Sequence, residues 1–308
     1  MNRRQAIATL SAATAASFVP FGKSRAEPAA QKKGFRFCLN TSTISGQKLS
    51  LVEQVAVAAT AGYNGIEPWI SDLRRHQESG GSLDDVRRQI ADAGMTVESA
   101  IGFAPWIVDD DAARAAGLDA AARDMQLVRA IGGTRIAAPP VGATGAIDLW
   151  VVAERYHALL EVGRNEGVVP QLELWGHSPA IHKLGQLVAI ATEAAHDDAC
   201  LLPDVYHIYK GGSSFAGLAL IAGARMHVFH INDYPADPPR ASIGDADRVY
   251  PGDGIAPLAT ILSTLRATGF SGALSLELFN RDYWRDDALE VAKTGLAKMR
   301  RTLELPAS

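Results

Sequence analysis

Short runs of apolar residues alternate along this chain with longer stretches in which apolar residues return every three or four positions. The short runs predict strands at residues 35–44, 65–70, 96–103, 134–139, 170–175, 201–207, 227–233 and 273–279. The longer stretches predict amphipathic helices at 49–61, 83–93, 112–130, 149–166, 182–195, 215–222, 257–268 and 287–303. Several helices run into a glycine just before the next strand, among them Gly62, Gly94 and Gly167, where a left-handed residue stops the helix. Ser50 and Ser82 stand where an N-cap is wanted. Strict alternation predicts a parallel sheet, because parallel neighbours need a crossover connection that is usually a helix. Eight such units with no element left over predict an α/β fold of the closed (β/α)8 TIM barrel type, one catalytic domain over residues 35–308. An open doubly wound sheet is the alternative. It wants a glycine-rich dinucleotide turn after the first strand, where this chain has Cys38-Leu39-Asn40-Thr41-Ser42.

The first 26 residues do not belong to that pattern. Arg3-Arg4 precedes an uncharged stretch rich in Ala, Ser and Thr, and Ser24-Arg25-Ala26 offers small residues where a signal peptidase cuts. Residues 1–26 are expected to be an export signal, its arginine pair resembling the twin-arginine type, and residues 27–34 a polar linker. The mature protein is then expected in the periplasm or otherwise outside the cytoplasm. Removing the signal takes away Arg3, Arg4, Lys23 and Arg25 and no acid, which moves the formal charge from −4 to −8. Such a surface repels phosphates, so nucleic acid is excluded as a partner. No later apolar run has the roughly 20 residues of a membrane span. Further copies of the chain are the candidate for assembly. The two cysteines, Cys38 and Cys200, fall on the first and sixth strands. Those strands are not neighbours in a closed barrel, so free buried thiols are expected rather than a disulfide.

Candidate chemistry sits at the C-terminal ends of the last four strands, which in a barrel of this kind point into the active site. Glu173, Asp204, His230 and Glu277 each stand there between apolar neighbours. Burying one unpaired carboxylate costs several kcal/mol. Three of them with one imidazole at one barrel mouth therefore call for a cation. This donor set suits one divalent metal ion such as Mn²⁺, Mg²⁺, Co²⁺ or Zn²⁺ rather than a thiolate-seeking one. His207 is expected in the loop just past strand six and, with His177 and Glu67 at similar strand ends, is a candidate substrate contact. Pro251-Gly252-Asp253-Gly254 reads as a turn that Asp253 caps. Lys210-Gly211-Gly212-Ser213 is a weak candidate anion site at a helix N-terminus.

At these residues the chain resembles the xylose isomerase-like superfamily of sugar isomerases and epimerases, over most of residues 35–300. The resemblance lies in Leu172-Glu173, Asp204-Val205-Tyr206-His207, Phe229-His230-Ile231-Asn232-Asp233, Pro251-Gly252-Asp253-Gly254 and Leu276-Glu277. Gly211-Gly212-Ser213 and the stretch from Asp237-Pro238 to Arg248 are most similar to the inosose isomerase-like group. The resemblance implies that Glu173, Asp204, His230 and Glu277 bind a divalent metal, most often Mn²⁺. It also implies that Glu173 and Glu277 act as the acid–base pair and that His207 contacts substrate. Ketose 3-epimerases carry an arginine shortly after the metal histidine. Ala236 stands there in this chain, and Arg248 is the candidate replacement. The expected activity is metal-dependent isomerisation or epimerisation of a small keto-sugar or keto-cyclitol through an enediolate. The alternatives are a dehydratase or lyase that uses the same groups for β-elimination, and a non-catalytic periplasmic sugar-binding protein. A metal-dependent endonuclease of the same superfamily fits the acidic charge poorly.

Overall fold

The structure, a computed structural model, describes residues 34–304. The expected export signal, residues 1–26, and all but the last residue of the expected linker lie outside the described residues. Eight strands are found among these residues: β1 (Arg36–Asn40), β2 (Gly65–Glu67), β3 (Thr96–Val97), β4 (Arg135–Ala138), β5 (Val169–Glu173), β6 (Leu201–Leu202), β7 (Val228–Ile231) and β8 (Ala273–Leu276). Every ladder between them is parallel. Hydrogen bonding runs continuously through β3-β2-β1-β8-β7 and through β4-β5-β6. Two contacts join these arcs into a ring. The Ala137 N–H donates to the Ala100 carbonyl at 2.8 Å, and the His230 N–H donates to the Pro203 carbonyl at 3.0 Å. The result is the closed (β/α)8 barrel that the alternation predicted.

The helices that wrap the ring are α1 (Leu51–Ala61), α2 (Ile70–Glu78), α3 (Leu83–Asp92), α4 (Asp111–Ala130), α5 (Leu149–Glu166), α6 (Leu184–Glu193), α7 (Val205–Lys210), α8 (Leu258–Ala267) and α9 (Ala288–Thr302). Local signals set their ends. Ser50 and Glu53 form a reciprocal capping box at the start of α1, and Gly62 ends it at φ 92°. The main hydrophobic core lies between helices and strands. A separate small cluster of Cys38, Ile101, Ala137, Leu202, Val228 and Ala273 draws on six strands or their ends and fills the inside of the barrel. Cys38 on β1 and Cys200 just before β6 are both buried and free, and β1 and β6 do not pair. Among the described residues no helix is long and apolar enough to cross a membrane.

Strands two and three end at Glu67 and Val97, short of their expected length, and beyond this the structure departs from the sequence reading at four places. Strand one stops at Asn40, and Thr41–Gln47 forms a 3-10 segment whose first turn Asn40 caps by accepting from the Ser42 N–H. Residues 70–78, left unassigned by periodicity, form α2; only Ile70 and Leu73 of that helix are buried, too few for an apolar stripe to register. Residues 215–222 form 3-10 turns rather than an α-helix. The fourth departure matters most. The run from Val205 to Lys210 is rich in β-branched and aromatic residues and reads as strand, yet it is helix α7. Asp204 caps it by accepting from the His207 N–H at 2.9 Å. His207 therefore sits in a helix and not in a loop.

Candidate active site

The C-terminal mouth of the barrel carries a buried polar floor. His230 on β7 has no solvent exposure, and neither does Asp204. The imidazole Nδ1 of His230 lies 3.3 Å from Glu277 Oε2 and 3.7 Å from Asp204 Oδ2. One donor atom from each of Asp204, His230 and Glu277 falls within 4.8 Å of the others. Arg248, itself buried, donates from Nη1 to Glu277 Oε2 at 2.7 Å and to Asp204 Oδ2 at 3.2 Å. Its Nη2 pairs with Asp245, and its guanidinium lies 4.3 Å over the Tyr206 ring. Asn232 holds Asp204 from the other side, donating to Oδ2 at 3.1 Å.

This floor fits a divalent cation. Ligands each about 2.1 Å from one ion are separated by the distances seen between His230 Nδ1 and the two carboxylate oxygens. His230 Nδ1 is buried and has no hydrogen-bond partner, an arrangement that costs free energy unless something binds it. The charge balance agrees. Glu67, Glu173, Asp204 and Glu277 cluster with His230, and among the described residues Arg248 is the one Arg or Lys side chain that hydrogen-bonds any of these acids. The donor set of carboxylates and imidazole suits a hard or borderline divalent ion.

Electrostatics separate the acids. Burial raises Glu173 to about 8, reinforced by the charges of Glu277, Asp204 and Glu67 and opposed by His230. Burial acts on Glu277 too, but His230 and Arg248 overcome it and hold that carboxyl well below the usual range. Asp204 is raised, chiefly by burial, with Arg248 working against the rise. His230 loses its proton less readily than usual, because Glu277 and Glu67 outweigh its burial. His207 goes the other way: burial and the neighbouring Arg248 keep it neutral.

Above the floor opens a cleft of about 400 Å³, within the size range of small-molecule sites. Trp69, Phe103, Trp175, Phe279 and Trp284 supply its walls. Their rings touch in series: Trp69 meets Phe103 edge-on at 5.2 Å and Phe279 at 6.0 Å, and Phe103 meets Trp175 at 6.3 Å. His177 stacks on Trp175 at 5.3 Å and stays exposed at the rim. His207 is buried beside Arg248, its Nδ1 accepting from the Gly176 N–H at 3.2 Å and its Nε2 lying 3.1 Å from Arg248 Nη2.

The sequence reading therefore finds its residues at one mouth, with changed roles for some. Glu173 stands at the floor but outside the converging trio, its Oε1 accepting from the Trp175 indole N–H at 3.2 Å. Glu67, read from sequence as a substrate contact, is fully buried beneath His230. Lys210 holds no anion: its Nζ donates to the carbonyls of Arg240, Ala241 and Ile243 at 3.2, 3.0 and 2.8 Å, tying down the loop that leads to Arg248. The Pro251–Gly254 turn is held by Asp233, which accepts from the Gly252 and Ala256 N–H groups at 3.0 and 2.8 Å, while Asp253 pairs with Lys298. A Cβ on Gly254 would sit 2.2 Å from the Tyr234 carbonyl, so only glycine fits there. Sequence reasoning missed Asn40 and Asn232. Asn232 was within reach, since it lies two residues after His230 on an extended segment and so faces the same side.

A sequence model described as the xylose isomerase-like TIM barrel matches residues 55–302. The inosose isomerase of Halalkalibacterium halodurans is 34% identical over 137 residues, 44% of this chain and 48% of that protein, so the match spans about half the length of that relative. The 3-dehydroshikimate dehydratase of Pseudomonas aeruginosa is 27% identical over 256 residues, 78% of this chain and 37% of that protein. The crystal structure of the IolI protein with a bound zinc atom superposes with a TM-score of 0.82 at 23% identity, covering 88% of this chain and 98% of the other, a likeness of fold. With the barrel closed, the polar floor at its C-terminal mouth and the family match spanning most of the chain, the protein belongs to the xylose isomerase-like TIM barrel family.

Proposed function

We propose that this protein is a divalent-metal-dependent isomerase or epimerase of a small keto-sugar or keto-cyclitol, working by proton transfer next to a carbonyl. The observation that carries the proposal is the buried trio of Asp204, His230 and Glu277 with an unpartnered imidazole nitrogen, set beside a second glutamate of opposite protonation tendency. The similarity to inosose isomerases and the zinc in the IolI protein support it. Asp204, His230 and Glu277 would hold the ion. The bound cation would supply Lewis-acid polarisation of a carbonyl and lower the acidity barrier at the neighbouring carbon.

The chain's own groups divide the proton work. Two carboxyls pushed apart in pKa mark an acid and a base. Glu277 starts ionised and accepts the proton. Glu173, raised to about 8, starts protonated at neutral pH and can deliver one. Arg248, donating to Glu277 Oε2, keeps that carboxylate oriented between strands seven and eight. His177 at the rim offers a donor to hydroxyl groups, His207 with both ring nitrogens facing the Gly176 and Arg248 N–H groups braces Arg248, and the aromatic walls stack against the C–H face of a ring while excluding water. The test is incubation of metal-loaded protein with inososes and keto-sugars in D₂O. Solvent deuterium at the carbon next to the carbonyl and an isomer or epimer as product support the reading; full activity after the metal is stripped overturns it.

A second reading is favoured by the match to 3-dehydroshikimate dehydratase, which covers 78% of this chain. The same deprotonation next to a carbonyl becomes β-elimination when a leaving group sits one carbon further on. Release of water or an aglycone from the best substrate would assign the protein there. We also propose that the enzyme works outside the cytoplasm, on the strength of Arg3-Arg4 and the apolar stretch after it. Protein found only in the cytoplasmic fraction of the cell would count against that.

A further inference from the structure

We infer that Glu67 is the positioning residue that sets His230 for metal binding: it holds the Nε2 proton and thereby turns the Nδ1 lone pair into the site. The inference rests on the metal-dependent reading above. Glu67 ends β2, and it and His230 are both fully buried, out of reach of a ligand in the cleft. Strand register explains the meeting. Asn40 pairs with Glu67 across β1 and β2, His230 pairs with Ser275 across β7 and β8, and β1 lies beside β8 with Asn40 two residues past the partner of Ser275, so the four side chains meet in one polar layer at the barrel mouth.

Glu67 Oε2 is the centre of that layer. It accepts from Ser275 Oγ at 2.6 Å and from Asn40 Nδ2 at 3.0 Å, and His230 Nε2 lies 3.0 Å away. With two donors already aimed at this oxygen, the third neighbour completes the set as an N–H. A neutral imidazole has one proton, so placing it on Nε2 leaves Nδ1 as a lone pair. That nitrogen is the one 3.3 and 3.7 Å from the Glu277 and Asp204 oxygens, and it is the one without a partner. A carboxylate behind a metal histidine fixes the tautomer, holds the ring in place and makes the free nitrogen a better ligand.

Asn40 extends the arrangement. Its Nδ2 also donates to Glu277 Oε1 at 3.1 Å, and its Oδ1 accepts from the Trp69 indole at 3.2 Å. The layer below the site thus braces two of the three converging side chains and one wall of the cleft. The sequence alone offered Glu67 only as a candidate substrate contact at a strand end. Its role depends on β2 lying across the barrel from β7, and that becomes visible only in the closed ring.

The experiment measures Co²⁺ binding to the full-length protein by its visible absorption, with competition by Zn²⁺, for the unaltered protein, Glu67→Gln and Ser275→Ala. Glu67→Gln should weaken Co²⁺ binding by roughly 10–100-fold, as loss of such a partner does. Ser275→Ala, which leaves the carboxylate in place, should weaken it several-fold less. Melting of the metal-free proteins separates a lost partner from a lost fold. Imidazole ¹⁵N spectra of the unaltered protein loaded with Zn²⁺ give a readout that needs no variant: His230 should show a metal-bound Nδ1 and a protonated Nε2. Equal Co²⁺ affinity in the Glu67→Gln protein, or metal found on Nε2, overturns the inference while leaving the metal reading intact. Failure of the unaltered protein to bind Co²⁺ or Zn²⁺ overturns both.

Discussion

The ends of β5 and β8 carry the same residue type at the same depth, and the two surroundings make them chemically different. Glu277 accepts from Arg248 Nη1 and from Asn40, and its Oε2 lies 3.3 Å from His230 Nδ1. Glu173 is met by one indole N–H and by His230, and against them by the negative charge of Glu277, Asp204 and Glu67. Burial is the largest influence on both, and it pushes both the same way. The neighbours therefore decide the outcome: an ionised Glu277 and a Glu173 that titrates near 8. An acid and a base can be made from one residue type by placing the cations on one side of the barrel mouth. In this site that placement is made by Arg248, which the Lys210-anchored loop delivers to Glu277 and not to Glu173.

The hardest test of this comparison is to remove the base. Glu277→Gln keeps the shape and cannot take a proton, so kcat should fall by about 10³–10⁴-fold, at the upper end for a positioned proton acceptor. Steady-state rates with KM reported separately check this, and a loss confined to KM would break the assignment. Removing the acid comes next. Glu173→Gln should cost about 10²–10³-fold in kcat, with Co²⁺ binding reduced far less than in Glu277→Gln. Equal losses of Co²⁺ binding in the two variants would erase the distinction drawn between the two strand ends.

How far the sequence carried depended on whether a residue's role is set locally or by closure of the barrel. Eight strand–helix units were legible because each has its own apolar period, and Glu173, Asp204, His230 and Glu277 were legible because each interrupts an apolar run at its end. Helix α7 was not, because Val205, Tyr206 and Ile208 carry a strand-like composition that the Asp204 cap overrides. The roles of Glu67 and Asn40 were not legible either. Glu67 is 163 residues from His230 in the chain, and Asn40 is 237 from Glu277. No local pattern encodes contacts of that span, and they exist only once β1 pairs with β8 and the ring closes.

Stability against pH sharpens the comparison without any substrate. Glu173 has a folded pKa raised above its ordinary value, so in the metal-free protein folding binds a proton between about pH 4.5 and 8, and stability falls as pH rises through that window. His230, also raised, acts in the same sense above its ordinary value of 6.5. His207, lowered, acts in the opposite sense, but only below 6.5, where its stabilising contribution is lost as pH falls. Above pH 6.5 the slope is thus set by Glu173 and His230 together. The melting temperature of EDTA-treated protein should drop by several degrees from pH 6.5 to 8, and saturating divalent metal, which favours ionised ligands, should flatten the slope. A metal-free protein that melts at the same temperature across this range would mean that Glu173 is ionised throughout, and its contrast with Glu277 would vanish.

The smallest expected effect isolates a single hydrogen bond. The Trp175 indole N–H donates to Glu173 Oε1 at 3.2 Å, and a donor to a carboxylate favours the ionised form. Trp175→Phe keeps an aromatic wall beside Phe103 and His177 but removes that donor. The pKa of Glu173 should then rise, and the alkaline limb of the pH–rate profile, where the acid is lost, should move to higher pH by a fraction of a unit. At neutral pH the rate should change by only a few-fold, since Glu173 is already mostly protonated there. The direction carries the argument. If Trp175 serves only as a wall, the variant changes KM and leaves the limb where it was. If the limb moves to lower pH, the indole is not stabilising a carboxylate, and Glu173 takes its protonation state from some other neighbour.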